Sequence, residues 1–239
     1  MAREMEVVRI GLPVELEGVQ GALQHEAEEA LRDNLEGITP RLPVITIQRG
    51  QRPSFVFPNG DTAKDFTGVI VDHHKVNAFW EGGAEAGIGG PPDCLSPDGI
   101  RSTEGKLCAT CGRNRFGDDG RKECKNMIRL AILLPGDIIP HRLTLPPTSI
   151  APVERYLTAL TARRLPACAV LTKFGLEKAT TRGGWEVARI TLSMEEILDP
   201  QILQQVLGIR KFLKEISRAQ VFQPTEELGE EMEETDVPF

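Results

Sequence analysis

The chain of 239 residues is 40% hydrophobic, which is enough to bury one core of ordinary size or two small ones. No apolar run approaches the roughly 18 residues that a membrane-spanning helix needs. The N-terminal stretch MAREMEVVRIG lacks a signal-peptide core, so we expect a cytoplasmic protein without a membrane partner. Seven of the 35 acidic residues fall in 226–239, where there is no Lys or Arg, so the net charge of −7 describes this tail and the remaining chain is neutral.

Residues 1–65 are predicted to form a helix and strands that pack on the core. Apolar residues three and four positions apart within 14–36 indicate an amphipathic helix. The segments LPVITIQRG and SFVFPNG, which begin at Leu42 and Ser54, have the composition of short strands and end in turn residues.

Residues 66–193 are predicted to form the core of a mainly β protein of the α+β class. A long strand, FTGVIVDHHKVNAFW, is followed by a Gly-rich insert at about 81–125 that has no strand or helix periodicity. Four more strands follow (MIRLAILL, HRLTL, CAVLTKFGLEK and WEVARITL), with the helical pattern PPTSIAPVERYLTALTARR between the second and third of them. The OB-fold, a five-stranded Greek-key barrel with a helix between its third and fourth strands, has this order. Several small α+β domains share it.

Residues 194–220 are predicted to form a C-terminal helix, and residues 221–239 a disordered acidic tail. Ser193 and Glu196 have the spacing of a capping box, and Pro200 suits a first helical turn. Apolar residues every three or four positions after Pro200 mark one face of the helix. This face either docks on the barrel or pairs with a second copy of the chain in a homo-oligomer.

Four cysteines of the insert have the spacing C-x13-C-x2-C-x12-C, at Cys94, Cys108, Cys111 and Cys124. A two-residue gap lets both thiolates of a CxxC pair reach one tetrahedral ion at about 2.3 Å, and the outer cysteines complete four ligands. The sequence therefore predicts one structural Zn²⁺ per chain, which takes the place of an apolar core in the insert. A redox CxxC, an iron–sulfur cluster and a catalytic zinc compete with this interpretation, but no further feature of the sequence supports them. Cys168, in a predicted strand, is expected to stay free.

The last ten residues, EEMEETDVPF, place an apolar end on an acidic run. They resemble the C-terminal tip of bacterial single-stranded DNA-binding proteins, an acidic stretch that closes in Asp-hydrophobic-Pro-Phe. Asp236, Val237, Pro238 and Phe239 match that tip position by position. The resemblance implies that these four residues bind partner enzymes of replication, recombination and repair, because a ring beside a carboxylate suits an apolar pocket with a basic rim. A role in solubility is the alternative for an acidic tail.

A second resemblance covers residues 66–193. A zinc module with four ligands, inserted in an OB-fold after its first strand, is similar to a DNA-binding domain of replication protein A, and phage single-stranded DNA-binding proteins also combine the fold with zinc. The ligand spacing differs from replication protein A, and the helix at 200–218 is not in the standard bacterial protein. The motifs VNAFW, PPDC, CATCGRNRFG and LTLPPTS are also similar to a phage and mobile-element family. The three resemblances together imply a protein of a bacterial cell, encoded by the cell or by a phage or mobile element.

An OB-fold binds a single strand by laying a basic groove along the phosphates and stacking bases on aromatic rings. Phe116 is the best stacking candidate, because a short metal-tied loop cannot easily bury it. Phe79, Trp80 and Trp185 are further candidates, although their strand positions favour the core. Phosphate contacts are expected from the basic side chains of the insert: Arg113, Arg115, Arg121, Lys122 and Lys125. A solvated loop that needs charge is the alternative explanation of this cluster.

His73 and His74 are adjacent in the long strand, where neighbouring side chains point to opposite faces. We therefore expect no metal or acid–base pair there.

The sequence thus favours a sequence-independent single-stranded DNA-binding protein, not an enzyme, that recruits partner proteins through its tip. A zinc-dependent nuclease and a zinc-ribbon adaptor that binds only proteins are the alternatives. The nuclease is disfavoured because no Asp, Glu and His cluster has the spacing of a catalytic metal site.

Overall fold

A nine-stranded sheet and two helices make up the part of the chain that the computed structural model describes, residues 42–48, 52–81, 92–118, 120, 122–180, 184 and 186–220. The predicted helix within 14–36 and the acidic tail lie outside these residues. The strands are β1 Val44–Gln48, β2 Ser54–Val56, β3 Thr62–Ala63, β4 Asp65–Phe79, β5 Cys94–Ser96, β6 Lys125–Leu133, β7 His141–Leu145, β8 Val170–Thr180 and β9 Glu186–Ile197. The helices are α1 Pro147–Ala162 and α2 Pro200–Gln220.

The strands follow the spatial order β3-β2-β1-β7-β6-β4-β8-β9, and β5 pairs with a free edge of β4. All pairs are antiparallel except β1 with β7, which run parallel. The five strands predicted for the core are therefore neighbours in one sheet, with α1 between the third and fourth of them along the chain. This arrangement is mainly β, with a curled half-barrel sheet, and is compatible with an OB-like α+β class. In the described residues β7 pairs with β1 at the edge where a closed five-stranded barrel would need β9.

The capping box predicted at Ser193 and Glu196 is wrong, because both residues belong to β9. Strand β9 stays paired with β8 as far as Ile197, so the backbone groups of this segment are used by the ladder and no helix can start there. Helix α2 begins at Pro200 instead, and the Asp199 carboxylate accepts a hydrogen bond from the Gln201 backbone N–H at 2.8 Å. Pairing in the sheet overrides a local capping motif.

One face of the sheet packs against α1. Its buried side chains come from several strands and include Ile70, Leu130, Leu143 and Phe174. Phe66 lies parallel to Phe174, with the ring centres 4.7 Å apart. Stacked rings of this kind add to the stabilisation that burial of their area provides.

The opposite face of the sheet packs against α2. Val69 and Val71 of β4 and Cys168 form a buried cluster with Val206 and Leu213 of the helix. The apolar face of this helix thus docks on the sheet of its own chain, which is the first of the two alternatives that the sequence left open. Neither helix in the described part of the chain has the length and apolar character of a membrane span.

Candidate functional site

The four-cysteine insert sits at the Phe79 end of β4. We call its described residues, 92–118, 120 and 122–124, the cysteine module. Cys94 begins β5 and lies directly opposite Phe79 on one edge of β4, while Cys124 immediately precedes β6 on the other edge, where Lys125 pairs with Ala78. The two outer cysteines therefore flank the end of a single strand, which places residues that are 30 apart in sequence close in space.

Backbone hydrogen bonds close the module around the inner cysteine pair. Cys108 N–H donates to the Ile100 carbonyl at 2.8 Å, and Cys111 N–H donates to the Cys108 carbonyl at 3.4 Å. A short 3-10 helix, Gly112–Asn114, follows. Cys124 N–H donates to the Arg113 carbonyl at 2.9 Å, so the fourth cysteine is hydrogen-bonded to the short helix that follows the inner cysteine pair.

The four thiols influence one another electrostatically. Burial, together with the neighbouring thiols of Cys108, Cys94 and Cys111, raises the pKa of Cys124 to about 11. Burial also raises the pKa of Cys94, followed by the Glu104 carboxylate and the Cys108 thiol. The four predicted ligands are therefore near enough to influence one another. All four are free thiols, as is Cys168.

The cysteine module has the donor atoms that zinc takes, since four thiols can form a closed tetrahedral set. In the residues that the structure describes, however, no group of three or more His, Cys, Asp and Glu side chains is arranged so that it could hold a metal ion. The residue types suit zinc, and both the site and its ion stay a prediction.

Three asparagines connect the module to the sheet, and we call Asn77, Asn114 and Asn126 the asparagine network. Asn126 Nδ2 of β6 donates to Asn77 Oδ1 of β4 at 2.6 Å and to Asn114 Oδ1 of the module at 2.9 Å. Asn77 Nδ2 donates to the Gly99 carbonyl at 3.1 Å, and Asn114 Nδ2 donates to the Cys108 carbonyl at 3.0 Å. Because every amide nitrogen and oxygen of the network has a partner, the module is fixed on the ends of β4 and β6.

Phe116 is the most exposed aromatic ring among the large hydrophobic side chains of the described residues, at 72% of its surface. The Lys122 ammonium lies 4.8 Å from the centre of this ring, and Arg115 beside it is exposed. Phe79, in contrast, is 8% exposed and is covered by Arg113. Trp80 and Lys125 are half-buried, and Arg121 and Trp185 lie outside the described residues. The structure thus brings the stacking candidate Phe116 together with basic side chains and places Phe79 in the core.

A second polar feature, which sequence reasoning missed, crosses β4, β6 and β7. His74 lies directly opposite Arg129, and Arg129 lies directly opposite Thr144, so the three side chains share one face of the sheet. Arg129 Nε donates to Thr144 Oγ1 at 3.5 Å. Partial burial lowers the pKa of His74, and the Arg129 charge lowers it further. We call these residues the polar row.

His73 points to the face opposite that of His74, as expected for adjacent residues in a strand. It lies opposite the buried Leu130 and lines an open groove of about 510 Å³ with Leu157, Thr158, Thr161 and Ala162. The signal for the polar row was the run DHHK in the middle of an otherwise apolar strand. The expectation of opposite faces was correct. The run itself does not reveal that Arg129 of β6 lies opposite His74 and lowers its pKa.

The fold and the module together define a mainly β protein with an OB-like strand order and a four-thiol insert. Comparison with protein-family models, curated proteins and solved structures found no match to this chain.

Proposed function

We propose that the protein binds single-stranded DNA without sequence preference and that Phe116 stacks on a base. The exposure of Phe116 carries the proposal, because covering an apolar ring that lies mostly in water beside basic groups with a base is energetically favourable. Stacking of a base on an aromatic ring contributes about 1 to 3 kcal/mol and tolerates any base, which suits binding without sequence preference.

Basic side chains of the module other than Lys122 would contact the phosphates. Arg115 is exposed beside Phe116, and Lys125 begins β6, the strand that also carries Arg129 of the polar row. His74 stands five residues before Phe79, so about 17 Å of strand separates the polar row from the module end of β4. Asn126, which contacts Lys122 of the module, and Arg129 are three residues apart in β6 and point to opposite faces of the sheet, so the polar row is not counted among the phosphate contacts.

We also propose that the half-barrel is an OB-fold. The support is the strand order, in which the first core strand, β4, lies between the second and the fourth, β6 and β8. The position of α1 between β7 and β8 adds to this. In this proposal β1 covers the edge of β7, and the barrel is partly open, as OB-folds are.

We propose that Cys94, Cys108, Cys111 and Cys124 hold one structural Zn²⁺. The support is the spacing of four free thiols that influence one another electrostatically, two of which are buried, in a module with few apolar side chains in the core. Zinc binding would deprotonate the thiols and add a further link to the hydrogen bonds that connect the parts of the module.

The acidic segment is proposed to recruit replication, recombination or repair proteins in the bacterial cytoplasm, on the strength of the motif alone, since it lies outside the described residues. Phe239→Ala changes no charge but removes the ring that an apolar pocket would bind. We expect this variant to keep its DNA affinity and to lose capture of those proteins from a bacterial lysate. Capture of the same proteins by the variant and the wild type would overturn this role.

A titration followed by fluorescence anisotropy tests the DNA-binding proposal. Labelled oligo-dT and a labelled duplex of the same length are each titrated with the wild type, Phe116→Ala and Ile138→Ala. Ile138 is a suitable control because it is also an exposed apolar residue, at 40%, but lies in the loop before β7. We expect tight binding of oligo-dT only, weakened by about 1 kcal/mol or more in Phe116→Ala and unchanged in Ile138→Ala. The absence of single-strand binding, or cleavage of the oligonucleotide, would overturn the proposal.

A further inference from the structure

Lys122 belongs to the basic cluster of the module, yet its ammonium is surrounded by partners from its own chain. We propose that Lys122 is a positioning residue that holds the Phe116 ring for stacking, and that it is not a phosphate contact. The inference rests on the proposed function, because it assigns a role within the same DNA site.

An ammonium group has three N–H donors. Two of those of Lys122 have oxygen acceptors within reach, Asn126 Oδ1 at 3.0 Å and Asn114 Oδ1 at 3.4 Å. The Phe116 ring centre, 4.8 Å away, is within the distance at which a cation is attracted to the face of a ring. All three N–H donors of the ammonium therefore have partners within the protein. A phosphate could reach the ammonium only by displacing one of these partners.

The two oxygen acceptors are themselves held in place. Asn126 Nδ2 donates to Asn77, which is 5% exposed, and Asn114 Nδ2 donates to the Cys108 carbonyl. An amide that donates from its nitrogen in a fixed direction must present its oxygen on the opposite side. The asparagine network therefore orients both acceptors toward Lys122, and this orientation fixes the ammonium near the ring.

The position of the ammonium decides how Phe116 can stack. A cation over one face of the ring leaves the other face for a base, so Phe116 takes a single base and does not intercalate between two. A ring that is already held loses less conformational freedom on binding than a free exposed side chain does. Lys122 thus increases the affinity for DNA because it restricts the motion of the Phe116 ring, and not because its positive charge contacts a phosphate.

Salt dependence of oligo-dT binding separates the two roles, because each phosphate neutralised on a single strand contributes about 0.7 to the slope of log K against log salt. Lys122→Met removes the charge at nearly constant length, and Arg115→Ala removes an exposed charge from the same module. We expect Lys122→Met to weaken binding about threefold with an unchanged slope, and Arg115→Ala to make the slope shallower by about 0.7. A slope that falls equally in both variants would overturn the inference.

Two further measurements sharpen this test. In a double-mutant cycle, Phe116→Ala should cost less affinity in the Lys122→Met background than in the wild type, because the two residues act as a unit. An equal cost in both backgrounds would contradict the inference. Without DNA, 4-fluorophenylalanine at position 116 should show a ¹⁹F resonance that shifts in Lys122→Met and stays in place in Arg115→Ala. An unmoved resonance in Lys122→Met overturns the positioning role, whereas a shifted resonance with no oligo-dT binding by the wild type overturns only the proposed function.

Discussion

The guanidinium carbon of Arg113 lies 4.0 Å from the centre of the Phe79 ring. Phe79 ends β4, and Arg113 belongs to the short helix that follows the inner cysteine pair. This contact joins the cysteine module to the sheet by a second route, independent of the asparagine network. Arg113 therefore has a structural role that the sequence did not predict, and its phosphate contact stays a prediction.

Arg113→Ala is expected to destabilise the protein, because it uncovers the Phe79 ring and removes a cation–π interaction. We expect a loss of about 0.5 to 1 kcal/mol in the free energy of unfolding in urea. Arg115→Ala, an exposed arginine two residues further on, should change this quantity by less than about 0.5 kcal/mol. Equal losses in the two variants would show that the contact with Phe79 contributes nothing.

Gly68 of β4 allows the close approach of β6, and Gly68→Ala tests this packing. A β-carbon at this position would lie 2.7 Å from Ile132 Cγ2 and 3.1 Å from the Leu133 carbonyl oxygen. We expect Gly68→Ala to reduce the free energy of unfolding by about 1 to 3 kcal/mol, the usual cost of overpacking. In Gly208→Ala the added carbon meets no atom within 4 Å in a helix, and this control should gain up to about 1 kcal/mol. A neutral Gly68→Ala would indicate that β4 and β6 can separate without cost.

The order of the core strands along the chain was predictable because each strand has a local sequence pattern. Alternating or continuous apolar runs identified the segments of β4, β6, β7, β8 and β9, and the spacing of apolar residues identified α1. The parallel pairing of β1 with β7 was not predictable in the same way, since Val44 and Arg142 are far apart in sequence. No local pattern encodes that contact.

The candidate site likewise combines features that the local sequence predicts with features that depend on contacts between distant strands. The exposure of Phe116 follows from the lack of a local core and could be expected, whereas the shared metal of the four cysteines stays a prediction. The asparagine network depends on the strand register that places Asn77 opposite Asn126, 49 residues later. The register of β4 itself shifts between Ile70 and Asp72, and this irregularity decides which of the following side chains share a face. Register is a tertiary property, and composition did not reveal it.

The Asp98 carboxylate should make the stability of the module depend on pH. Burial alone would raise its pKa, but hydrogen bonds from the backbone N–H groups of Arg101 and Ile100 and from Ser96 Oγ outweigh this and lower it below the ordinary value of 3.8. A carboxyl group whose pKa falls on folding stabilises the protein fully above its ordinary pKa. That contribution is lost as the pH falls through the lower value.

Asp98→Asn removes the charge and keeps the shape of the side chain. We expect the variant to be less stable than the wild type by about 1 kcal/mol at pH 7, from the loss of charge-assisted hydrogen bonds near the surface. The difference should narrow as the pH falls below about 4. Urea midpoints measured across this range check the expectation, with Asp118→Asn, an exposed carboxyl of the same module, as the control. A difference that is the same at every pH would exclude the carboxylate as its source.

Metal analysis tests the zinc site, and the chain offers a matched control for it. Cys111→Ser removes a ligand of the inner pair, and Cys168→Ala removes a buried thiol that packs between the sheet and α2. We expect one zinc per chain in the wild type and in Cys168→Ala, and a loss of zinc in Cys111→Ser. The Cys168→Ala variant should lose about 1 kcal/mol of stability through its smaller side chain alone.

The raised pKa of Cys124, about 11, adds a second measurable consequence of zinc binding. Metal ligation requires thiolates, so uptake of zinc near neutral pH must displace protons, and the apparent zinc affinity must fall as the pH is lowered. Hydrogen exchange of residues 94–124 should then be slow in the zinc-loaded wild type and fast in Cys111→Ser, because a structural zinc contributes on the order of 10 kcal/mol to the folding of a domain that lacks its own core. In Cys168→Ala the exchange of this segment should match the wild type. Undiminished zinc in Cys111→Ser, or equal exchange in all three proteins, would mean that the four thiols gather without a metal and that the hydrogen bonds of the module hold it alone.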